Sequence, residues 1–277
     1  MGKKIITDLT AVYLGPPGTN THLACMNCLG NSTQTLAVES IQEVFEAVEK
    51  EKADYGVVPV ENSTEGSVNR TLDMFIDSEV KICGEVLMPV SHDLLSKSGD
   101  PQDIRKIYSH PQAFEQCRGW LKENFPDTLL SETGSTARAA QMATEDSNSA
   151  AIASSFAARL YSLKVISPRI EDYFHNYTRF LVFGRQFMEK TGRDKTSILF
   201  SIPHTPGSLF CVLKPFAEKG INLTKIESRP LKNTPWEYIF FLDFEGHATD
   251  RPIREAMVEA ERNALFIKLL GSYPKSS

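Results

Sequence analysis

Apolar residues along this chain fall either into short continuous runs or into helical spacing, and the two patterns alternate. AVYLG (11–15) reads as a first strand, followed by the polar segment GPPGTN and a helix. TLAVES (35–40) reads as a second strand. Ser40-Ile-Gln-Glu43 then has the spacing of a capping box, and Ile41, Val44, Phe45 and Val48 mark one face of a helix. YGVVPV (55–60) is a third strand, apolar at nearly every position, as expected where both faces of a sheet are covered. ENSTEGSVNRTLDMFI follows, with Val68, Leu72, Phe75 and Ile76 at helical spacing. Strand and helix in alternation predict a parallel α/β sheet.

A second set of elements comes next. VKICGEVLMPVSHDLLS (80–96) is strand-rich, residues 112–124 and 135–145 read as helices, and AAIAS (150–154) is a strand leading into the helix FAARLYSL. TRFLVFG (178–184) is another buried strand. The pattern predicts two α/β lobes facing each other: lobe one over about 8–89 plus 167–185, lobe two over about 90–166. The chain would cross near Pro89 and return near Ser167, with a ligand held between the lobes at strand ends and helix N-termini. RQFMEKTGRDK (185–195) has the composition of a linker, ending a first domain over 8–185. The pattern then restarts. TSILFSI is a strand, and PGSLFCVLKPFAEKG is a helix with the stripe Leu209, Val212, Leu213 and Phe216, inside which Pro215 argues against an unbent course. INLTKIESRPL and WEYIFFLDFEGH are strands, RPIREAMVEAERNAL a helix and FIKLLGSYP a last strand, a βαββαβ domain over 196–277.

The composition narrows the class. A chain of 277 residues with 41% hydrophobic and 23% charged positions can bury a real core in two domains. A net charge of −5 argues against a nucleic-acid surface, which needs clustered Lys and Arg. No apolar run reaches membrane-span length. MGKKIITDLTAVYLG has no signal-peptide core, and Ile6 stands where a myristoylation pattern needs Ser or Thr, so the expected location is cytoplasmic. Five scattered cysteines (Cys25, Cys28, Cys83, Cys117, Cys211) form no disulfide framework. Cys25 and Cys28 have redox or zinc spacing, but no second pair completes a site, and both read as buried helix positions.

Four polar segments sit at strand ends: GPPGTNTHLA (15–24), VPVENSTEG (58–66), SHPQAFEQC (109–117) and HNYTRF (175–180). None is a nucleotide phosphate loop, a metal-binding cluster or a G-x-S-x-G elbow. A site of Thr, Ser, Asn, Gln and one Arg suits hydrogen bonding to a small anion rather than hydride or phosphoryl transfer. Each segment also has a plainer reading. Ser63, Thr64 and Ser109 would serve as helix N-caps, Asn62 would hold a turn, Gln116 and Cys117 would be ordinary helix positions, and Thr178-Arg179 an edge pair with a solvated Arg. Their convergence on one cleft favours the site.

VPVENSTEG, SHPQAFEQC and HNYTRF closely resemble the signature segments of prephenate dehydratases, and GPPGTNTHLA resembles that family's G-P-x-G-T-F-S-x-x-A segment. GSLFCVL (207–213) and GINLTKIESRP (220–230) resemble the regulatory ACT domain of the same enzymes. Asn20-Thr21 stands where Phe-Ser is usual, and Ser208 replaces Ala. The resemblance implies a two-lobed, periplasmic-binding-protein-like catalytic domain with an interlobe cleft, followed by a ferredoxin-like ACT domain. It implies conversion of prephenate to phenylpyruvate, CO2 and water with no cofactor and no metal, in a monofunctional chain without a chorismate mutase domain. Thr178 would assist the leaving hydroxyl; Thr19, Thr21, Asn62, Ser63, Ser109, Gln116 and Arg179 would bind substrate. Arg179 would pair with one carboxylate, and backbone amides at the helix starts after Gly18 and Ser63 would take the other. Glu61, His110 and His175 lie beside these positions and can titrate, but no role follows for them. L-Phenylalanine would bind between paired ACT domains at Gly207, Ser208, Leu209, Asn222 and Leu223, supported by Glu227, Ser228 and Arg229, in a homodimer or homotetramer. Two other readings stay open: an arogenate dehydratase, and a non-catalytic two-lobe sensor of an anion or amino acid.

Overall fold

Three sheets carry the chain in the computed structural model, which describes residues 9–30, 32–231 and 238–276. The apolar patch around Ile6, and Trp236-Glu237 at the head of a predicted strand, lie outside the described residues. The first sheet has the order β2-β1-β3-β11-β5, from β1 (Thr10–Leu14), β2 (Gln34–Val38), β3 (Tyr55–Asn62), β5 (Lys81–Pro89) and β11 (Tyr177–Gly184). The two-residue β4 (Gly66–Ser67) folds back on the end of β3. Helices α1 (Asn20–Leu29), α2 (Ile41–Glu49) and α3 (Asn69–Asp77) connect its strands. The capping box opens α2: the Ser40 Oγ accepts from the Glu43 N–H at 3.2 Å, and the Glu43 carboxylate accepts from the Glu39 N–H.

The expectation of a parallel sheet holds for β1, β2 and β3 but not for the rest, since β11 runs antiparallel to both β3 and β5. The reason is topological. β11 enters from the second lobe with no crossover helix to reverse it, so it inserts between its neighbours in the opposite direction.

The second sheet, β10-β6-β9-β7-β8, is built from β6 (Asp93–Ser96), β7 (Lys106–Ser109), β8 (Leu129–Glu132), β9 (Ser149–Ala153) and β10 (Lys164–Ser167). Around it lie α4 (Pro111–Gln116), α5 (Arg118–Asn124), α6 (Thr136–Ala143) and α7 (Ser155–Leu160). The single helix predicted over 112–124 is two, broken at Cys117, whose φ of −113° and ψ of 14° leave the helical region. The chain leaves the first sheet after Pro89 and re-enters it at Tyr177.

The third sheet is antiparallel, β13-β14-β12-β15, with β12 (Asp194–Ser201), β13 (Leu223–Pro230), β14 (Tyr238–Glu245) and β15 (Phe266–Pro274). α8 (Ser208–Glu218), which runs through Pro215, and α9 (Arg251–Glu261) complete the βαββαβ order. These two helices pack on one face of the sheet through Phe216, Phe244 and Ala256. The other face lies on the first lobe. Leu199, Phe241, Leu270 and Tyr273 join Phe45, Phe75 and Phe183 in one buried cluster. Its aromatic rings meet at centroid distances of 4.3 to 5.8 Å, and each buried ring contributes roughly 1.5–3 kcal/mol. β15 crosses β5 so closely that a Cβ on Gly271 would strike the Ile82 backbone. No helix among the described residues is long and apolar enough to cross a membrane.

Candidate active site

A cavity of about 260 Å³ opens between the first two sheets. Thr19 and Asn20 from the start of α1, and Gly134, Ser135 and Thr136 from the start of α6, line opposite walls. Each of these helices begins with a hydroxyl cap. Thr19 Oγ1 accepts from the His22 N–H at 3.3 Å, and Ser135 Oγ from the Arg138 N–H at 3.0 Å. The short helix α4 starts here too, capped by His110 Nδ1 on the Gln112 N–H. Among the described residues, no Lys, Arg, Asp or Glu lines the cavity. What it offers an anion is helix N-termini and neutral donors.

The floor is a chain of side-chain hydrogen bonds whose direction is set from one end. Asn62 Oδ1 accepts from the Thr64 and Glu65 backbone N–H groups, at 2.9 and 3.1 Å. Those two bonds fix the amide, so Asn62 Nδ2 must be the group that donates to Thr178 Oγ1 at 2.9 Å and to Asn176 Oδ1 at 2.7 Å. Asn176 Nδ2 then donates to Gln116 Oε1 at 3.1 Å, and the same oxygen meets His92 Nε2 at 2.7 Å. His92 therefore carries a proton on Nε2. Burial lowers its pKa below 6.5 and keeps it neutral, against opposing contributions from Gln116, Glu171 and Asp93. One lone pair of Thr178 is taken by Asn62, and no group among the described residues accepts its O–H. The hydroxyl hydrogen is left for whatever fills the cavity.

The structure brings together Thr19, Asn62, Gln116 and Thr178 of the sequence-predicted residues. Arg179 is not with them. Successive strand residues point to opposite faces, so placing Thr178 in the cleft turns Arg179 toward the third sheet. There it pairs with Glu85 at 2.7 Å and Asp243 at 2.6 Å and donates to Tyr273 Oη at 3.0 Å. Ser109 is fully buried and donates to the Ile152 carbonyl at 2.9 Å; the cap of α4 is His110 instead. Thr21 is buried and is not among the residues that line the cavity. Ser63 is exposed at the rim, where it donates to the His175 carbonyl and accepts from the Tyr177 N–H, tying β3 to β11. Glu61 reaches Lys225 at 3.0 Å, also on the side of the third sheet.

His92, Asn176 and Ser135 were not foreseen as site residues. Asn176 had a readable signal: it lies two residues before Thr178, on the same face by strand periodicity. His92 had none, since it sits inside a strand-like run.

In the third sheet's domain, Leu209 and Leu223 share one apolar cluster, and Gly207 caps α8 with a φ of 84°, a conformation glycine adopts without strain. Glu227 and Arg229 do not face that helix. Glu227 accepts from Ser67 Oγ at 2.8 Å and Arg229 pairs with Asp73 at 3.0 Å, both on the first lobe. Lys225 Nζ donates to the same Ser67 hydroxyl at 2.9 Å. Cys25 is buried, its thiol pushed up to about 12 by burial and then by Cys28, whereas Cys28 is exposed rather than buried as expected. No group of three or more His, Cys, Asp or Glu that would hold a metal occurs among the described residues.

Fold and cleft together define a two-lobed protein with a polar cavity between its lobes and an appended βαββαβ domain. Residues 11–187 match the prephenate dehydratase family and residues 196–262 the ACT domain. The chain belongs to the prephenate dehydratase family, enzymes that carry out a decarboxylating dehydration. It is 46% identical over 268 residues to the bifunctional chorismate mutase/prephenate dehydratase of Aquifex aeolicus, covering 97% of this chain and 74% of that one. A crystal structure of prephenate dehydratase from Arthrobacter aurescens in complex with L-Phe aligns with a TM-score of 0.88 at 35% identity, over 96% of this chain and 90% of that one. The structure of GqqA, described as a novel type of quorum quenching acylase, aligns with the same TM-score of 0.88 at 30% identity, over 96% and 98% of the two chains.

Proposed function

We propose that the interlobe cleft carries out the conversion of prephenate to phenylpyruvate, with Thr178 as the hydrogen-bond donor to the departing ring hydroxyl. The ring carboxylate leaves as CO2, its bonding electron pair enters the ring, and the C–O bond to the hydroxyl breaks as the ring becomes aromatic. Hydroxide departs and takes a proton to become water. An alcohol is a very weak acid, so Thr178 stabilises the developing charge by a directed hydrogen bond rather than by giving up its proton. A preorganised donor of this kind contributes about 3 kcal/mol. The observation that supports this reading is the orientation of Asn62, which donates to Thr178 Oγ1 and leaves the Thr178 O–H without an acceptor among the described residues. The N-termini of α1 and α6 and the Gln116 amide would hold the carboxylates.

Two neighbouring activities have less support. Arogenate carries an ammonium where prephenate has a keto group, and no carboxylate among the described residues lines the cavity to pair with it. Acyl transfer needs an activated nucleophile, whereas Thr178 Oγ1 accepts from Asn62 and hydrogen-bonds to no base among the described residues. Incubation with prephenate and with arogenate, followed by assay of phenylpyruvate and phenylalanine, tests the reading. Turnover of prephenate at a higher kcat/KM supports it. Absence of product from both would favour a non-catalytic sensor.

The match to an ACT domain and the L-Phe complex of the Arthrobacter relative support a second proposal, that L-phenylalanine inhibits this enzyme. It would bind at Gly207, Ser208 and Leu209 together with Asn222 and Leu223, between two copies of the domain, in a cytoplasmic homodimer or homotetramer. Ser228 lies on the exposed face of β13 and is kept as a supporting residue, while Glu227 and Arg229 would act from the interdomain side. Calorimetric titration with L-phenylalanine, paired with the molar mass in solution, tests both parts. An Asn222→Ala enzyme that retains full inhibition would remove this placement.

A further inference from the structure

Gln116 has a chemical problem that the cleft must solve. The two ends of a carboxamide are nearly the same size, and only the nitrogen end attracts a carboxylate. An oxygen turned toward a dianionic substrate would repel it. The structure meets this with two donors on one oxygen: His92 Nε2 at 2.7 Å and Asn176 Nδ2 at 3.1 Å both converge on Gln116 Oε1. The Gln116 amide nitrogen makes no hydrogen bond among the described residues, and Gln116 lines the cavity.

We propose that His92 is a positioning residue for this reaction: with Asn176, it holds Gln116 with its oxygen turned into the protein and its nitrogen offered to a substrate carboxylate. The inference rests on the cleft being the prephenate site. His92 is well placed for the task. Its side chain is buried, its backbone N–H donates to Glu171 Oε2 at 2.9 Å, and its carbonyl accepts from the Ile170 N–H at 2.8 Å. Turning the Gln116 amide over would set its nitrogen against Asn176 Nδ2, donor against donor. Asn176 cannot turn in response, because Asn62 is fixed by the Thr64 and Glu65 N–H groups. The imidazole would also have to move its proton from Nε2 to Nδ1. One amide orientation therefore satisfies every partner, and the reversed one leaves at least one contact repulsive.

Steady-state kinetics with prephenate test the inference. His92→Phe keeps a flat ring but has no N–H. It is expected to raise KM about tenfold while kcat stays within about threefold, the effect of losing a ground-state contact. His92→Gln, which returns an N–H donor, should recover most of that loss. The deciding measurement is a double-mutant cycle: in a Gln116→Ala background, His92→Phe should change KM by less than about twofold. An unchanged penalty in that background would overturn the inference, because His92 would then act on substrate directly or on the fold at large. A folded His92→Phe enzyme with the parental KM would overturn it as well. Should His92→Phe fail to fold, the same cycle is run with His92→Asn, whose side chain is too short to reach Oε1. Gln116→Ala alone must raise KM; if it does not, the cleft assignment itself fails and the inference goes with it.

Discussion

Thr178 and Arg179 are adjacent on β11, yet they face regions built on opposite electrostatic plans. Among the described residues, the cleft beside Thr178 is lined without a Lys, Arg, Asp or Glu. The junction beside Arg179 is dense with them: Arg179 with Glu85 and Asp243, Lys195 with Glu85 at 2.9 Å, and Lys225 with Glu61 at 3.0 Å. Ser197 and Tyr273 fill the remaining valences. Burial opposes a charge on Arg179, but Tyr273, Asp243 and Glu85 outweigh it and hold the guanidinium protonated. Fixed charges sit where their partners are permanent. The proposed reaction turns a dianion into a monoanion and CO2, and a fixed guanidinium would hold reactant and product alike. Helix dipoles and neutral amides bind a carboxylate less tightly and leave no buried charge unpaired when the cleft empties.

The contrast can be broken most severely at Thr178. Thr178→Val removes the donor and keeps the shape; kcat should fall by about 10²–10³ with KM within about threefold. A mainly KM effect would mean that Thr178 only binds. Arg179→Met should do the reverse. It strands buried Asp243 and leaves Glu85 with Lys195 as its cationic partner, at a cost of about 3–5 kcal/mol in stability read by urea unfolding, while the KM of the folded fraction stays near the parental value. A large KM effect without loss of stability would place Arg179 in the cleft after all. Gly271→Ala forces the β5–β15 crossing apart and should cost about 1–3 kcal/mol, again without changing the intrinsic KM.

The smallest expected effect concerns pH. His92 is buried neutral, with a folded pKa below 6.5, so the unfolded chain takes up its proton first as the pH falls. Stability should therefore decline as the pH drops through about 6.5 and level off below the folded pKa, with a shallower decline in His92→Phe. Equal slopes would show that another group is responsible.

Much of the scaffold was legible because its signals are local. Apolar runs marked the central strands, and the stripe of Ile41, Val44, Phe45 and Val48 marked α2. Short strands with exposed faces were not legible: β8 shows Leu129 and Leu130 to solvent, so its pattern carries no burial signal. Of the site, Asn62, Gln116 and Thr178 each had a plainer reading alone, and were legible because their segments converge on one cleft and together resemble one family's signatures. Arg179 was misread because alternation says only that it opposes Thr178. Which face meets the cleft depends on where the third sheet docks. Ser109, expected to bind substrate with a helix cap as the plainer alternative, instead gives its hydroxyl to the buried Ile152 carbonyl, a partner 43 residues away that no local pattern shows. Glu227 and Arg229 pose the same problem as Arg179, since their partners Ser67 and Asp73 are more than a hundred residues away.

The Ser67 hydroxyl has a mechanical meaning. It is gripped by Glu227 and Lys225 on β13, and Ser67 itself pairs with Glu61 across the tight hairpin from β3 to β4. The turn of that hairpin supplies the two N–H groups that orient Asn62. β13 thus holds the hairpin as a hand holds a tiller. It cannot slide along the first lobe without either letting go of Ser67 or twisting the turn that aims the Thr178 hydroxyl.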